Sequence, residues 1–505
     1  MSNATKECPF CAETIRAKAV VCKHCGRDVP FGVPGSIPCP PAAVIEDWQA
    51  LDLLSALVDK SLVVYEQDEN GNGRYRLLET VRQYAQDRLA ESNEHETLRA
   101  RHGDHYLSFA EETEPGLHGP EQIALLARLE AEHDNLRAAL VVALDASQFD
   151  KPPRRADSGL RLVAALFWFW QLHGYFGEGR SWLGQALEQT TPQPHANDEA
   201  AWGYARARAR AQKGFGQLAY YQGDYQAAQS SFEESASEWR AMGDGAGLAD
   251  VLVYLAPTYW ERGDHARGRA TLHESVALAR AVGDPWVLAM ALWMQGEYTL
   301  FHGDPEQEGM AGQGDPDAAR PILEESAALF RQVGDGWGLG APLLRLGQAS
   351  LRQGDPSRAR AALMECLGRM RAVGDRLREG YGRAMLAETA LREGDASAAG
   401  AACRESLVLL RAVGSKWAIA YGLRVWVRLA AMQGKAQRAA RLAGAEAQLR
   451  AGMGLTLPPH ENHAYECDIA ALRSDLPVDV FAAAFAEGRA MSLEQAVAYA
   501  LSQDR

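Results

Sequence analysis

Two pairs of cysteines near the N-terminus have the spacing of a metal site. They are Cys8-Pro-Phe-Cys11 and Cys22-Lys-His-Cys25, with ten residues between the pairs. Each Cys-x-x-Cys turn presents two sulfurs on one side, and four thiolates close a tetrahedron on Zn2+. Such a site keeps no open coordination position, so the expected metal is structural and not catalytic. Lys6, Arg16, Lys18, Lys23 and Arg27 lie close by to offset the two net negative charges of the tetrathiolate. A redox reading would need one pair and a thioredoxin-like fold, and His24 finds no vacancy beside four cysteines. So short a segment has too little core to fold alone, so the metal would supply its stability.

Other reactive constellations are missing. No Gly-x-x-x-x-Gly-Lys-Ser/Thr loop occurs; Gly434-Lys435 lacks both the upstream glycine and the following hydroxyl. Gly243-Asp-Gly-Ala-Gly247 reads as a helix junction, not a dinucleotide fingerprint. No Gly-x-Ser-x-Gly elbow appears. His460-Glu-Asn-His463 lacks the i, i+4 spacing of a helical metal pair and reads as a loop, while His102 and His105 read as surface or core residues. No catalytic residue is expected, and no enzyme. Cys366 and Cys403 fall in repeat columns, Cys39 and Cys467 are isolated, and nothing suggests a disulfide framework; a reducing, cytoplasmic setting is expected.

The elements around these residues are set by a ruler. Gly-Asp occurs at Gly223, Gly243, Gly263, Gly283 and Gly303, and again at Gly314, Gly334, Gly354, Gly374 and Gly394. Gly414-Ser415 and Gly434-Lys435 continue it. The step is 20 residues except between Gly303 and Gly314, where eleven residues are added. Glycine ends a helix in the left-handed conformation. Aspartate caps the next helix, and proline, where present, fills its first position without loss. One helix and one turn every 20 residues predict stacked helical hairpins, with residues 303–313 a duplicated junction that bulges out.

Stacking alternate helices aligns Phe232, Leu272, Leu323, Leu363 and Cys403 as a bulky column. Glu234, Glu274, Glu325, Glu365 and Glu405 form a second, and Ser235, Ser275, Ser326, Cys366 and Ser406 a third. Arg240, Arg280, Arg331, Arg371 and Arg411 form a fourth, in the last turn, where a cation suits the helix dipole. In the other helices Ala256, Gly296, Gly347, Ala387 and Val427 make a mostly small column that allows close approach. The expected fold is mostly α, an α-solenoid. Its pattern resembles the tetratricopeptide repeat, with a period of 40 residues in place of 34. One position past the small column lie Glu297, Gln348, Glu388 and Arg428; four further on lie Phe301, Arg352, Arg392 and Met432. Aligned and polar, these are the candidate partner-binding groove. The tryptophans, Trp168, Trp170, Trp260, Trp293 and Trp426 among them, read as core.

Composition sets limits. Nearly half of the 505 residues are hydrophobic, but no apolar run is long enough for a bilayer. The richest stretch, Leu160–Phe176, contains Arg, Gln and His and reads as a buried helix. The formal net charge of −14 disfavours broad nucleic-acid or anionic-membrane binding. Nothing at the start reads as a signal peptide.

Residues 30–44 are rich in Pro and Gly and read as a linker. Beyond it, Leu51–Val58 has helical spacing, Ser61–Glu66 and Arg74–Leu78 read as strands around an Asp68–Gly73 turn, and Thr80–Ala90 is an amphipathic helix. That order is the C-terminal part of a winged helix, short on its N-terminal side. Arg74, Arg76 and Arg82 lie on or after the wing. A helical connector with first hairpins (96–195), the repeats (196–440) and a helical cap (441–505) complete the expected organisation, after a zinc ribbon over 1–29 and a winged helix over 45–95.

Two resemblances add to this reading. Residues 7–29, ECPFCAETIRAKAVVCKHCGRDV, resemble a small bacterial zinc-ribbon family. "LVDKSLV", "RYRLLETVRQYAQDRL", "LEAEHDNLRAAL" and the tail from "LPPHENHAYECDIAALRSDL" onward resemble bacterial STAND-type ATPase regulators of the LuxR-like class. That resemblance runs over roughly residues 45–505. It implies a repeat arm acting as a sensor and a winged helix that packs against an ATPase module. The phosphate loop of that module is absent, so ATP hydrolysis is not carried over. No output helix-turn-helix follows the tail within these residues. The expected function is a non-enzymatic sensor or adaptor that binds a protein, peptide or effector. The alternatives are a regulator touching DNA through the ribbon or wing, and a sensor subunit of a separate STAND ATPase.

Overall fold

The computed structural model describes residues 5–7, 14–16, 47–67, 73–91, 94–144, 154–191, 199–303, 314–453, 457 and 459–502. Cys8, Cys11, Cys22, Cys25, the Pro/Gly-rich linker and residues 304–313 lie outside them. The chain forms two compact units, Met1–Arg99 and Ala100–Arg505. The boundary falls a few residues beyond the expected end of the winged helix.

In the first unit β1 (Thr5–Glu7) pairs antiparallel with β2 (Thr14–Arg16). Then come α1 (Asp47–Asp59), β3 (Val63–Gln67), β4 (Gly73–Leu77) and α2 (Glu79–Glu91). β3 and β4 form the wing, in a register that sets Val63 opposite Leu77 and Tyr65 opposite Tyr75. The expected strands and second helix hold within one or two residues at each end, the first helix starts four residues earlier than expected, and residues 68–72 of the expected turn lie outside the described residues. This unit buries little among its described residues: α2 has no buried side chain, and Leu51, Leu53, Tyr65, Leu78 and Tyr84 are exposed.

The second unit is the solenoid. It begins within α3 (His95–Thr113) and goes on through a 3-10 turn (Glu114–His118), α4 (Gln122–Ala131) and α5 (His133–Ala143). Then α6 (Arg154–His173), all but fully buried from Leu160 to Leu172 apart from Arg161, pairs with α7 (Phe176–Glu188). The regular hairpins follow: α8 (Glu199–Tyr221) with α9 (Tyr225–Met242), α10 (Gly245–Glu261) with α11 (His265–Val282), and α12 (Pro285–His302) with α13 (Pro316–Val333). They continue through α14 (Gly336–Arg352), α15 (Pro356–Val373), α16 (Arg376–Arg392), α17 (Ala396–Val413) and α18 (Lys416–Met432). Helices α19 (Ala436–Gly452), α20 (Pro459–Asp475), α21 (Val478–Arg489) and α22 (Leu493–Leu501) close the end. α19 runs through the expected repeat-to-cap boundary at 440, because its packing against α18 and α21 continues the stack.

The junctions work as their chemistry dictates. All twelve ruler glycines have positive φ, from Gly223 to Gly434. Asp224, Asp244, Asp264, Asp284, Asp315, Asp335, Asp355, Asp375 and Asp395 each accept a backbone N–H of the next helix. Ser415 and Lys435 make no such cap, a loss of about 1 kcal/mol each. At six of the junctions the Asp N–H also bonds the carbonyl five residues back, at Asp224 (to Ala219, 3.0 Å), Asp244, Asp264, Asp355, Asp375 and Asp395 (to Ala390, 2.9 Å). After Gly303 the acceptor five residues before the next Asp would be Thr299. Thr299 O instead accepts from Asp315 (2.8 Å). The second Gly-Asp-Pro therefore takes over the junction, and α12 packs against α13 as the helices of the other hairpins do.

The columns have distinct roles. Phe232, Leu272, Leu323, Leu363 and Cys403 are all at most 1% exposed. Gly296 and Gly347 face this column so closely that a Cβ would meet Leu323 at 2.6 Å and Leu363 at 2.7 Å. The serine column ties the two helices of a repeat together: Ser235 Oγ donates to Ala209 O (2.7 Å), Ser275 to Ala249 O (2.8 Å), Ser326 to Ala289 O (2.7 Å) and Cys366 Sγ to Gly340 O (3.3 Å). Ser406 Oγ is buried without such a bond. The Arg and Glu columns pair between repeats, Arg240 with Glu274 (2.9 Å), Arg280 with Glu325 (3.6 Å) and Arg331 with Glu365 (2.8 Å). These pairs are exposed, so each is worth about 0–1 kcal/mol.

Candidate functional site

The concave face is built by one helix of each hairpin: α8, α10, α12, α14, α16 and α18. Its upstream part is occupied by the chain itself. Gln122, just after the 3-10 turn, donates from Nε2 to Leu117 O (2.6 Å) and to Asp335 Oδ1 (3.0 Å), and its Oε1 accepts from Trp337 N (3.1 Å). Trp286 Nε1 donates to the other Asp335 oxygen (2.8 Å). Burial raises the Asp335 carboxyl pKa above its ordinary value, only partly offset by these donors. His118 sits against Trp286 (4.2 Å) and Trp168 (4.9 Å), and Trp168 meets Trp337 (5.0 Å). Depth, with Lys213 and Arg210 nearby, pushes the His118 pKa down to about 3. Trp168, Trp170, Trp260, Trp293 and Trp426 are all core, as expected.

Downstream the face opens into a cleft of about 270 Å3. Five of the candidate groove residues, Gln348, Arg352, Glu388, Arg392 and Arg428, line it. Glu297 and Phe301 do not. Arg345 claims both, bonding Glu297 (2.8 Å) and lying over the Phe301 ring (5.1 Å). Met432 is exposed beyond the rim. The cleft also takes Tyr421, Arg424 and Val425 from α18, and Glu461, Tyr465 and Asp468 from α20.

Glu388 is the hub. It accepts from Tyr421 Oη (2.7 Å), Arg428 Nη1 (2.9 Å) and Arg392 Nη2 (3.4 Å). Burial alone would raise its pKa, but Arg428, Tyr421 and Arg392 outweigh that and hold the carboxyl below the usual range. Arg428 also reaches Asp468 (2.7 Å), and Arg424 reaches Glu461 (2.9 Å). Both arginines stay charged: burial opposes the charge, and the acidic neighbours more than reverse it. Arg352 bonds Gly314 O (3.0 Å) and Leu300 O, and burial lowers its pKa. Four guanidinium groups thus converge with three carboxylates around one opening. Guanidinium forks held this way suit carboxylates and backbone carbonyls of a bound chain or effector.

The tail residues of this cleft were not found from sequence, because His460–His463 was expected to be a loop. The stretch instead lies in the first turn of α20, with Pro459 at its start, where proline is well tolerated. Cys467 Sγ is 3.8 Å from His463 Nε2 one turn on. Among the described residues no group of three His, Cys, Asp or Glu side chains could hold a metal, and no helix is long and apolar enough to cross a membrane.

On the wing, Arg76 is paired with Glu66 (3.1 Å) across the strands, and Arg82 with Glu79 (2.6 Å). The basic residues expected there are therefore partly neutralised.

Comparison with known proteins agrees with this layout. Residues 41–90 match the winged helix-turn-helix domain. The chain is 32% identical over 296 residues to a Mycobacterium tuberculosis protein named as an HTH-type transcriptional regulator, and equally to its Mycobacterium bovis counterpart. The match covers 58% of this chain and spans 30% of that relative's length. An uncharacterized M. tuberculosis protein is 45% identical over 60 residues, 12% of this chain and 15% of its own. Among solved structures, a STAND protein with a tetratricopeptide repeat sensor from Pyrococcus horikoshii aligns over 83% of this chain and 55% of its own, at 14% identity and a TM-score of 0.46. This chain is a tetratricopeptide-like α-solenoid preceded by a winged-helix domain.

Proposed function

We propose that the chain is a non-enzymatic sensor or adaptor of bacterial signalling or transcriptional regulation, working in the cytoplasm. Its solenoid takes a partner segment or effector into the cleft around Glu388. The carrying observation is that cleft: an open concave site where Arg352, Arg392, Arg424 and Arg428 are already oriented by fixed partners. Preorganised donors lose little entropy on binding. The winged-helix match and the relatives named as regulators support the regulatory setting. Capture of cytosolic protein on the immobilised full chain tests it. A component retained by the wild type and lost with R352E/R392E supports the reading; the same components on both overturn it.

Cys8, Cys11, Cys22 and Cys25 would hold a structural Zn2+. Four soft thiolates suit a closed tetrahedral site, and β1 and β2 bracket the first pair in sequence. Zinc there would fold the segment and perform no reaction. Metal analysis of the purified chain checks this: one zinc per chain, lost with C8S/C11S.

A second reading has the wing contact DNA, and the match over residues 41–90 favours it. Its mark would be binding that weakens steeply with salt. Against it, Arg76 on the wing and Arg82 on the following helix are each paired with a glutamate, which lowers the local positive charge. A sensor subunit of a separate STAND ATPase would show activity only with that partner present.

A further inference from the structure

The charge, size and walls of the cleft around Glu388 define the chemistry of its occupant. Its charged lining sets Arg352, Arg392, Arg424 and Arg428 against Glu388, Glu461 and Asp468, which leaves one positive charge in excess. Asp468 holds Arg428 (2.7 Å), and Glu461 holds Arg424 (2.9 Å). Arg352 and Arg392 end α14 and α16, equivalent positions one repeat apart on the same face. Arg352 is held by the carbonyls of Gly314 (3.0 Å) and Leu300. Arg392, half-exposed, makes a long bond to Glu388 (3.4 Å), whose oxygens also serve Arg428 and Tyr421. The excess charge therefore sits at the Arg352 and Arg392 ends of the two helices.

One carboxylate balances that excess, and its two oxygens match the planar fork of a guanidinium. A phosphate dianion would overshoot it and face three carboxylates in the same opening. Burial lowers the Arg352 pKa, and an anion alongside would offset that cost. Much of the remaining lining is apolar: Leu351 and Val425 are 3% and 2% exposed, and Ala464 and the rings of Tyr421 and Tyr465 join them. At about 270 Å3 the cleft has room for about nine waters, less than the pockets that take drug-sized ligands. It admits one residue-sized group, not a helix or several residues of an extended chain.

We infer that the cleft, taken as the binding site proposed above, recognises a single carboxylate attached to a compact aliphatic group, with Arg352 and Arg392 as its clamp. Two sources carry that chemistry: a free short-chain carboxylic acid, and the C-terminal residue of a peptide that ends in an aliphatic side chain. A bound chain is then read at its end and not along its middle.

Calorimetric titration of the full chain tests this. The probes are 4-methylpentanoate, which joins the leucine side chain to one carboxylate, and a Gly-Ser hexapeptide ending in leucine. The comparisons are 4-methylpentanamide, the same peptide amidated at its C-terminus, acetate and inorganic phosphate. At least one of the two carboxylate probes should bind, with its amide, acetate and phosphate each at least about tenfold weaker. R352Q and R392Q should each weaken that probe about tenfold while far-ultraviolet dichroism stays that of the wild type. Tighter binding of the acid assigns a free effector, and tighter binding of the peptide assigns a chain terminus. The inference is overturned if neither carboxylate probe binds, if an amide, acetate or phosphate binds as tightly, or if both variants keep wild-type affinity. The cleft reading fails separately, when a component captured by the wild type is retained by R352E/R392E. It stands, and only the carboxylate inference falls, when that component is lost but neither probe binds.

Discussion

Excision of residues 303–313 leaves the sequence Phe301-His302-Gly314-Asp315-Pro316, a junction of ordinary length. The structure sets the size of the effect. Asp315 N–H already bonds Thr299 O at 2.8 Å, the bond that Asp224, Asp355 and Asp395 make to the carbonyl five residues back, so the excised chain has its hydrogen bond in place. The Asp315 side chain caps α13 through Asp317 and Ala318 N–H, and these remain. The Arg352 contact to the Gly314 carbonyl (3.0 Å) is kept, because Gly314 stays. What changes is the entropy of closing an eleven-residue excursion, about (3/2)RT ln 11, or about 2 kcal/mol in favour of the shortened chain. A solenoid unit of this size has an unfolding entropy near 0.8 kcal/mol per kelvin, so the expected rise in Tm is about 2 °C at most. Thermal melting followed by far-ultraviolet dichroism is the assay. Unchanged helicity with a Tm equal to or slightly above wild type is expected. A drop of several degrees, or loss of helical signal, would refute the substitution of one junction by the other.

Further outcomes follow from single side chains. Ser275→Ala and Ser326→Ala remove buried hydrogen bonds to Ala249 O and Ala289 O and should each lower stability by about 1 kcal/mol, whereas Ser406→Ala, whose hydroxyl has no partner, should be neutral by urea denaturation. His118 is neutral in the folded state down to about pH 3, while the unfolded residue takes up a proton near 6.5. Its contribution is therefore present above pH 6.5 and is lost as pH falls toward 3. From pH 6.5 to 4.5 it should cost about 2–3 kcal/mol, and H118F should flatten that part of the stability profile relative to wild type.

The repeat architecture was legible because it is local. Glycine, aspartate and proline at a fixed step dictate stop, cap and start at each junction, and the columns of Phe232, Gly296 and Ser235 follow from stacking equal units. The wing was legible for the same reason, through alternating residues around a turn. Long-range contacts were not. Nothing in Gln122 announces that it bonds Asp335 on a helix far along the chain, because that contact depends on how the superhelix curls. The same holds for Glu297 and Phe301, which share columns with Gln348 and Arg352 but fall under Arg345 instead of in the cleft. Tyr421 and Arg424 lie a turn or two before Arg428, and the 40-residue step from Tyr381 to Tyr421 is the signal that could have added the first of them. Glu461 and Asp468 carry no periodic mark, since α20 belongs to no repeat. The Glu and Arg columns were visible separately, but their pairing across repeats needs the rotation between neighbouring hairpins.

The most direct measurement is the affinity of a captured partner for two variants, made by calorimetry at two salt concentrations. Arg392→Glu places a fourth carboxylate in the cleft, and Arg76→Ala removes a cation from the wing. The account predicts at least a tenfold weakening with R392E and no change with R76A. Wild-type affinity for R392E, with loss of binding in R76A, would contradict it and place recognition on the winged helix.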